Sequence, residues 1–387
     1  KTASVNVGNL HVSTQDTSTV NTAADMANNV SPLSTTAAGI SDVVNMGKIT
    51  ADTVEVHGKN IRFLNAGNVH TTASPVVLHT DTANGGYAHI GYKSGHVPAV
   101  TDYKINNNNA TADNYYQLVA DKTEFQNINS DRTKNYMLEN DIDFSGTALT
   151  PIGDDTTKFT GKLDGNFFQV KNFKVSGGSR AGLFGTTSGA RLENFGVVGA
   201  EITGNTGVSD YAGGIAAYSK GGTQIRNVYV KDTVVDGGTG QHGGIVGGTE
   251  NTTLDGVYSK ATIGDGGGII GTSATGTNIY NTYSDASFLS RIPTSQHMFF
   301  IYMIDPDNGT YVENSFAMGQ FSWNEGNLTG NVSKNTFKID KSSGQATLVG
   351  SGTGGGSMTS VASYSGWGST INNDGAPGAK WRIYEGR

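Results

Sequence analysis

Apolar residues recur in pairs between Phe159 and Phe288, and the pairs repeat along the chain. A first anchor follows a glycine-rich string, and a second anchor lies nine or ten residues later. The four pairs are Leu183/Leu192, Ile215/Ile225, Ile245/Leu254 and Ile269/Ile279. Successive first anchors are 32, 30 and 24 residues apart. A period of this length predicts an array of stacked units, none of which buries a core alone.

Each second anchor opens a short run in which residues facing inward and outward are expected to alternate, as in a β-strand. The runs are LENFGVV, IRNVYVK, LDGVYSK and IYNTYSD. This alternation predicts that one position of each run faces the core: Phe195, Val228, Val257 and Thr282. The glycines that precede the first anchors are predicted to form corners with positive φ, a conformation that glycine adopts without strain.

Asparagine lies two positions after the second anchor in most of these runs. The asparagines are Asn194, Asn227 and Asn281, with Asn172 of the earlier string VKNFKV assigned to the same place and Gly256 in the remaining repeat. Strands that stack about 4.8 Å apart would bring equivalent amides above one another. We therefore predict that these asparagines share one buried corner, where their side chains hydrogen-bond along the stack and to turn backbone.

Tyrosine lies four positions after the second anchor in three of the repeats. The matching positions hold Gly196, Tyr229, Tyr258 and Tyr283. Alternation turns these side chains outward, which predicts an exposed ladder of rings that binds sugar rings or a partner protein. The alternative is a structural stack that the C-terminal segment covers.

The rest of the chain reads as further short strands. Runs of β-branched residues punctuated by Gly47, Gly58 and Gly67 recur at about ten-residue spacing, which is typical of β-solenoid coils. The segment YYQLVADKTEFQNI fits either a helix or a strand followed by a short helix. We predict that the chain is divided into four parts: β-helix coils over 1–110, an irregular connecting unit over 111–158, repeat coils over 159–290, and C-terminal coils with a tail over 291–387.

Composition narrows the class of protein. Glycine accounts for 55 of 387 residues and charged residues for 15%, which favours an all-β chain with many turns. The net charge of −7 argues against nucleic acid as a partner. The absence of cysteine excludes thiol catalysis and fits an exported protein. The apolar run MFFIYMI from Met298 is too short to span a membrane, so no membrane insertion is expected.

Two stretches resemble known families of surface proteins. The strings LENDIDFSG, PIGDD, GKLDGN and AGLFG, together with the terminal SGW and WRIYEG, resemble bacterial proteins that carry the GLUG motif. The stretch VVNMGKITADTVEVHGKNIRFLNAGNVHTT resembles the stalk coils of filamentous-haemagglutinin-like exoproteins secreted by the two-partner route. The resemblances cover roughly residues 40–387. They imply a right-handed parallel β-helix and a role in adhesion or biofilm, although GLUG segments also occur in IgA-cleaving metallopeptidases.

Catalytic motifs are sparse. The sequence contains no HExxH, GxSxG or P-loop string. A glycosidase needs two carboxylates facing a cleft about 5 to 10 Å apart, and the candidates are Asp141 with Asp143, Asp154 with Asp155, and Asp164. Turns and the family pattern also account for these residues, so no catalytic residue is assigned.

Candidate metal ligands are equally sparse. His70, His79 and His89 lie near coil spacing and would be either a metal cluster or scattered histidines on one face. The string DPDNGT at Asp305 fits a calcium loop or a plain turn. The scattered histidines and the plain turn are the interpretations we adopt, so no metal or cofactor is expected.

The sequence therefore predicts a non-enzymatic segment of a secreted bacterial surface adhesin that attaches to host or biofilm surfaces. Its expected partners are a glycan or a surface receptor and the rest of a longer exoprotein chain, because the chain starts and stops abruptly at Lys1 and Arg387. A carbohydrate-active β-helix lyase or hydrolase is the alternative, and a cleft holding two or more carboxylates would favour it. A third hypothesis is a structural spacer, which a featureless rod would favour.

Overall fold

The computed structural model of the protein describes most of the chain between residues 75 and 289 and shorter stretches on either side. The described residues are 4–13, 43–44, 48–58, 60–63, 69–71, 75–84, 86–99, 101–205, 207, 210–237, 241–273, 275–289, 297–298, 301–304, 309–319, 333–334, 336–340, 342–343, 345–349, 351–357, 363–366, 371–372 and 381–382. They form two compact units. The N-terminal unit is Lys1–Val119 with Asn135–Glu139, and the C-terminal unit is Ala120–Lys134 with Asn140–Arg387.

The N-terminal unit consists of short, mainly parallel strands. Its strands are Ser4–Ser13, Val43–Val44, Lys48–Gly58, Ile61–Phe63, Val69–Thr71, Val76–Thr80, Ala88–Tyr92, Tyr103–Ile105, Asn108–Asn109, Tyr115–Val119 and Asn135–Leu138, with 3₁₀ turns at Thr82–Asn84 and Ala112–Asn114. Buried and half-buried residues alternate along Val76–Thr80. Inward side chains such as Val54, Val56 and Leu78 pack into one core, so the outward side chains of the same strands rest on a rigid base.

The C-terminal unit is also almost entirely β-structure. Its described helices include the α-helix Lys122–Asn127 and the 3₁₀ turn Ile128–Ser130, and residues 363–366 form a further 3₁₀ turn. Its strands are Ile142–Asp143, Lys162–Asp164, Gln169–Lys171, Lys174–Ser176, Arg180–Ala181, Phe184–Ser188, Arg191–Val198, Glu201–Thr203, Tyr211–Gly213, Ala216–Lys220, Gln224–Asp236, Gln241–Gly243, Val246–Thr249, Thr253–Asp255, Tyr258–Ile263, Gly266–Gly267, Ile270–Ser273, Asn278–Tyr280, Tyr283–Ser284, Ser287–Phe288, His297–Met298, Ile301–Ile304, Tyr311–Glu313, Phe316–Ala317, Ser333–Lys334, Thr336–Asp340, Gln345–Val349, Gly356–Ser357, Ile371–Asn372 and Trp381–Arg382. In the described part of the chain, no helix has the length and apolar character needed to cross a membrane.

Each strand of a repeat pairs in parallel with the equivalent strand of the next repeat. One ladder joins Arg180–Ala181, Tyr211–Gly213, Gln241–Gly243, Gly266–Gly267 and His297–Met298. A second joins Phe184–Ser188, Ala216–Lys220, Val246–Thr249, Ile270–Ser273 and Ile301–Ile304. A third joins Lys162–Asp164, Arg191–Val198, Gln224–Asp236, Thr253–Asp255, Asn278–Tyr280 and Tyr311–Glu313. The protein is therefore all-β with parallel sheets, as predicted. Antiparallel pairing appears between Thr336–Asp340, Gln345–Val349 and Gly356–Ser357.

The two anchor columns are confirmed. The second anchors Leu192, Ile225, Leu254 and Ile279 are direct partners in the third ladder. The first anchors follow one another through backbone hydrogen bonds: the amide of Ile215 donates to the carbonyl of Ile245 at 2.9 Å, and that of Ile245 donates to Ile269 at 3.0 Å. All eight side chains are fully buried, as are the predicted inward residues Phe195, Val228, Val257 and Thr282. Burial of each large apolar side chain stabilises the fold by about 1.5–3 kcal/mol.

The prediction is wrong for the glycine directly before each first anchor. Gly182, Gly214 and Gly244 do not have positive φ. A Cβ atom on Gly214 would lie 2.5 Å from the carbonyl oxygen of Gly244, and one on Gly244 would lie 2.1 Å from that of Gly268. These glycines are required because neighbouring strands approach too closely for any side chain.

Positive φ is instead carried by residues at bends, which lie within the strands Arg191–Val198 and Gln224–Asp236 and directly after the shorter strands of later repeats. These residues stack in columns. The asparagine column has Asn194 at φ 61°, Asn227 at 49°, Gly256 at 67°, Asn281 at 51° and Asn314 at 51°. The register of the third ladder places them one above the other. Asparagine and glycine are the residues that adopt this left-handed conformation most readily.

Asn172 does not belong to the asparagine column, so that part of the prediction is wrong. Lys171 pairs with Val198, and Val198 pairs with Lys231, which places Asn172 beside Gly199 in a second corner. This corner also carries positive φ, at 55° for Asn172 and 69° for Gly199. The strings around Asn172 and Asn194 look alike because both place a left-handed asparagine after three strand residues.

The predicted burial of the asparagines holds at only two positions. Asn194 and Asn281 are buried, whereas Asn172 and Asn227 are exposed. Their neighbours explain the difference: the position following Asn227 in the column is Gly256, and the one beside Asn172 is Gly199, so no side chain covers either amide. The bonds along the stack do form, since Asn227 Nδ2 donates to Asn194 Oδ1 at 3.2 Å and Asn194 Nδ2 donates to Asp164 Oδ1 at 3.1 Å.

The column gives a testable prediction at Asn227. Asn227→Ala should lower the free energy of unfolding by about 1–2 kcal/mol, because alanine is strained at φ 49° and loses the bond to Asn194. Asn227→Gly should lower it by less, since glycine carries no strain there. Urea denaturation of the two variants measures the difference, and equal losses would contradict the assignment of strain to this corner.

Candidate functional site

The predicted tyrosine ladder exists as an in-register stack. Tyr229 pairs with Tyr258, Tyr258 with Tyr283, and Tyr283 with Phe316. The ring centroids of Tyr258 and Tyr283 are 5.0 Å apart with planes 19° from parallel, and those of Tyr283 and Phe316 are 4.2 Å apart at 25°. Phe316 extends the ladder beyond the repeats that the sequence pattern revealed.

The rings are less exposed than predicted, because they stack on one another and one end of the ladder packs against residues from the C-terminal part of the chain. All three tyrosines are half-buried. Tyr283 and Phe316 pack against a cluster that includes Tyr364 and Phe337 from the C-terminal part of the chain. Burial raises the pKa of Tyr258 to about 12 and raises that of Tyr283 further above its ordinary value, with smaller contributions from Asp285. One end of the ladder is therefore a packing stack.

Tyr229 lies at the other end of the ladder. Its ring covers Gly196, where a Cβ atom would fall 2.2 Å from Tyr229 Cζ. Its hydroxyl accepts a hydrogen bond from Gln169 Nε2 at 2.6 Å. Glycine is therefore required at position 196, because the Tyr229 ring occupies the space that a side chain would need. A binding role for Tyr229, Tyr258 and Tyr283 stays a prediction.

Three of the candidate carboxylates form ion pairs or hydrogen bonds with residues in neighbouring strands, turns and corners. Asp141 forms an ion pair with Lys171 at 2.9 Å. Asp143 accepts hydrogen bonds from the Ser145 amide at 2.7 Å and from Asn172 Nδ2 at 3.0 Å, which hold its pKa below the ordinary value. Asp164 is fully buried and accepts hydrogen bonds from the Asn166 amide and Asn194.

The other two carboxylates, Asp154 and Asp155, line a cleft of about 690 Å³ in the C-terminal unit. Three segments that are far apart in sequence form it: a helical insertion, a loop and the turn that enters the first repeat. The lining residues are Gln126, Asn129, Arg132, Thr150, Pro151, Gly153, Asp154, Asp155, Thr156, Gly178, Ser179 and Arg180. The volume lies within the range typical of small-molecule sites.

Local sequence explains why the helical wall of the cleft forms where it does. Asp121 caps the helix Lys122–Asn127, since its carboxylate accepts hydrogen bonds from the amides of Thr123 at 2.8 Å and Glu124 at 2.9 Å. Phe125 and Ile128 are buried. This leaves Gln126, on the same short helix, to line the cleft.

Side-chain amides tie this wall to the opposite loop. Gln126 donates to the carbonyl of Thr150 at 3.1 Å and accepts from its amide at 2.8 Å. Asn129 accepts from the Gly153 amide at 3.1 Å and from Arg132 Nε at 3.0 Å. These bonds hold both walls in place before any ligand arrives, which lowers the entropy that a ligand must overcome.

The charged groups of the cleft are fixed as well. Arg180 contacts Asp155 in a bidentate geometry, with Nε to Oδ1 and Nη2 to Oδ2 both at 2.9 Å. Thr186 Oγ1 adds a bond to Asp155 Oδ1 at 2.8 Å. The guanidinium also lies 4.7 Å from the ring centroid of Tyr211 and 5.5 Å from that of Tyr218, distances at which a cation–π attraction operates.

Asp154 is held in its charged form. Its Oδ1 accepts hydrogen bonds from the amides of Thr156 at 2.7 Å and Thr157 at 2.6 Å. The Thr157 bond is the largest of several effects that hold the pKa of Asp154 below its ordinary value. A glycosidase acid needs the opposite shift, because it must carry a proton near neutral pH. The cleft thus offers charges and hydrogen-bonding groups for a polar ligand, while Asp154 is not suited to donate a proton.

Sequence analysis identified Asp154 and Asp155 but missed the cleft and its two arginines. Arg132 and Arg180 are 48 residues apart and belong to no motif. His70, His79 and His89 are not register partners of one another, because they pair with Thr50, His57 and Arg62. Asp305 lies outside the described residues.

The lowered pKa of Asp154 predicts how stability depends on pH. A carboxylate whose pKa is lower in the folded state stabilises the protein above its unfolded pKa of about 3.8, and this contribution is lost as pH falls through the folded value. Asp154→Ala should therefore lower the free energy of unfolding at pH 7, and the difference from wild type should be smaller at about pH 2.5, because part of the contribution is lost below the unfolded pKa.

Urea denaturation at the two pH values tests this expectation. Glu201→Ala is the control, because Glu201 is exposed and forms an ion pair with Lys174 rather than capping a turn. A difference for Asp154→Ala that stays constant down to pH 2.5, a value chosen as well below the ordinary carboxyl pKa of about 3.9, would show that the carboxylate is not held charged by the turn.

Comparison with known proteins gives partial similarities. No known family pattern matches the sequence. The chain is 34% identical over 160 residues to halomucin of Haloquadratum walsbyi (strain DSM 16790 / HBSQ001), a match that covers 37% of this chain and 2% of halomucin. A crystal structure of a Bacteroides ovatus protein, provisionally named an immunoglobulin A1 protease, aligns with 54% of this chain and 77% of that chain at 18% identity and a TM-score of 0.36. The chain therefore resembles a small segment of one very long protein.

Proposed function

We propose that this chain is a non-enzymatic, glycan-binding segment of a secreted or cell-surface adhesin, and that the cleft around Arg180 holds the glycan. The observation that carries the proposal is the state of the two carboxylates in the cleft. Asp155 is bound by Arg180 and Thr186, and Asp154 is held charged by its own turn. These contacts favour binding over acid-catalysed cleavage.

The chemistry of the cleft suits a sugar. Hydroxyl groups of a sugar donate to carboxylates and accept from guanidinium and amide groups, all of which line the walls. Arg132 uses Nε for Asn129, and among the described residues its two terminal nitrogens have no hydrogen-bond partner. These nitrogens supply donors that a ligand can use, and a charged donor makes stronger hydrogen bonds than a neutral one.

The architecture that we propose for this segment is a right-handed parallel β-helix. The supporting observations are the in-register anchor columns and the three ladders of equivalent strands. Connections between parallel strands of one sheet are right-handed in about 98% of cases, which favours this hand. The resemblance to GLUG-motif and filamentous-haemagglutinin-like exoproteins points to the same architecture.

A surface or secreted location is supported by sequence rather than by the cleft. The chain resembles a segment of halomucin, with 34% identity over 160 residues. It has no cysteine and an unusually low charged fraction of 15%, which fits export without disulfides. These two features, together with the cleft, support the proposal that the chain attaches a cell or a biofilm through a glycan.

Glycan binding can be tested with variants of the two arginines. A glycan array with the purified chain should identify ligands, and Arg132→Gln and Arg180→Gln should each weaken binding at least tenfold by calorimetry, because each removes a charged donor from the cleft. Lys260→Gln is the matched control, since Lys260 is an exposed cation that the cleft does not include. Binding that survives both arginine changes would contradict the proposal.

One observation favours the alternative that the chain is an enzyme: the cleft is lined by two carboxylates, Asp154 and Asp155. Incubation of the chain with each glycan that it binds, followed by measurement of released reducing ends, distinguishes the two functions. Cleavage that Asp155→Asn abolishes would establish the enzyme and overturn the binding role.

The tyrosine ladder has its own expected outcome. If it binds glycans, Tyr258→Ala should weaken affinity several-fold, since an aromatic contact is worth about 0.5–1.5 kcal/mol beyond burial. Tyr258→Phe is the control, because it keeps the ring stack with Tyr283 and removes only the hydroxyl. A fall in the free energy of unfolding without any change in affinity would assign the ladder to packing alone.

A further inference from the structure

Two histidines and a glutamate come together on the N-terminal unit. Glu55 and His57 are two positions apart on the strand Lys48–Gly58, so their side chains share one face of the sheet. His79 lies on the strand Val76–Thr80 and is the direct parallel partner of His57. All three side chains are half-buried.

The distances among these groups approach those of a metal site. The rings of His57 and His79 have centroids 4.2 Å apart and planes 17° from parallel. His57 Nε2 lies 3.9 Å from Glu55 Oε2. One ligand atom from each of the three residues lies within 4.8 Å of the other two. Tetrahedral zinc with bonds of about 2.0–2.1 Å separates its ligand atoms by about 3.3 Å, so side-chain rotations that draw the atoms inward by about 1 Å would complete the set.

The scaffold favours such a movement without a change in backbone. Val54, Val56 and Leu78 alternate with the three ligands and are fully buried or nearly so, which fixes the strands that carry them. Solvent reaches 27% of the His57 side chain and 47% of the Glu55 side chain.

We propose that Glu55, His57 and His79 form a site for one divalent transition-metal ion of the zinc class. Two imidazoles and one carboxylate are a ligand set that zinc accepts, with a fourth position left for water. Calcium and magnesium are disfavoured, because they prefer oxygen ligands. A metal ion bound by both strands would link two neighbouring strands of one sheet and stabilise the folded chain.

No sequence motif spans the ligands of this site. Glu55 and His57 are two positions apart on one strand, but His79 follows 22 residues after His57 and meets it only through the register of the sheet. The histidines near coil spacing in the sequence included His79 but not its structural partner.

The test is calorimetric titration of the chelator-treated full chain with zinc chloride. The wild-type chain should bind one equivalent, and His57→Ala and His79→Ala should each weaken binding at least tenfold, with Glu55→Gln weakening it less. His96→Ala is the matched control, since this exposed histidine belongs to the same unit and bonds the carbonyl of Ser94. Zinc should also raise the melting temperature of wild type and leave that of the His57→Ala/His79→Ala double variant unchanged.

A second measurement uses only the wild-type chain, so it tests the proposal even if the variants fail to fold. Electron paramagnetic resonance of the chain loaded with one equivalent of Cu²⁺ should show hyperfine coupling to two imidazole nitrogens. The proposal is overturned if wild type binds no zinc, if the double variant binds it as tightly as wild type, or if the copper spectrum shows fewer than two imidazoles.

Discussion

The described structure of the C-terminal unit depends on one constraint, which is that each repeat hydrogen-bonds in parallel and in register with the next. Register fixes which residues stack, so every position along the repeat becomes a column. Leu192, Ile225, Leu254 and Ile279 share a column and are all fully buried. A slip by one residue would turn each of these side chains to the opposite face. The apolar anchors therefore specify the register as well as the core.

The same constraint sets the chemistry of the corners. Left-handed residues recur in columns because the register places equivalent bends beside one another, and asparagine or glycine adopts this conformation at low strain. Whether an asparagine is buried depends on its neighbour in the column: Asn227 covers Asn194, whereas Gly256 leaves Asn227 open. Stability at a corner is thus a property of adjacent repeats and not of one repeat.

Much of the fold could be predicted from the sequence, because its signals are local and periodic. The anchor spacing and the period-two alternation identified both apolar columns and the inward position of each run. Asn172 was misplaced because two different corners present similar strings, and only the pairing of Lys171 with Val198 separates them. The exposure of Tyr283 was overestimated, since the covering residue Tyr364 lies outside the repeats. The cleft and the histidine pair were not predictable, because each joins residues from separate segments through the register of the sheets or the packing of a loop.

Engineered disulfides test the parallel register most directly. The chain contains no cysteine, so an introduced pair supplies its only thiols. Lys231 and Lys260 are exposed register partners on neighbouring strands, and direct partners lie within the Cα separation of about 4.4–6.8 Å that a disulfide spans. The Lys231→Cys/Lys260→Cys chain should form an intramolecular disulfide under mild oxidation, and Lys231→Cys/Tyr258→Cys, shifted by two residues, should form little. Equal or reversed yields of the two disulfides would contradict the register on which this account rests.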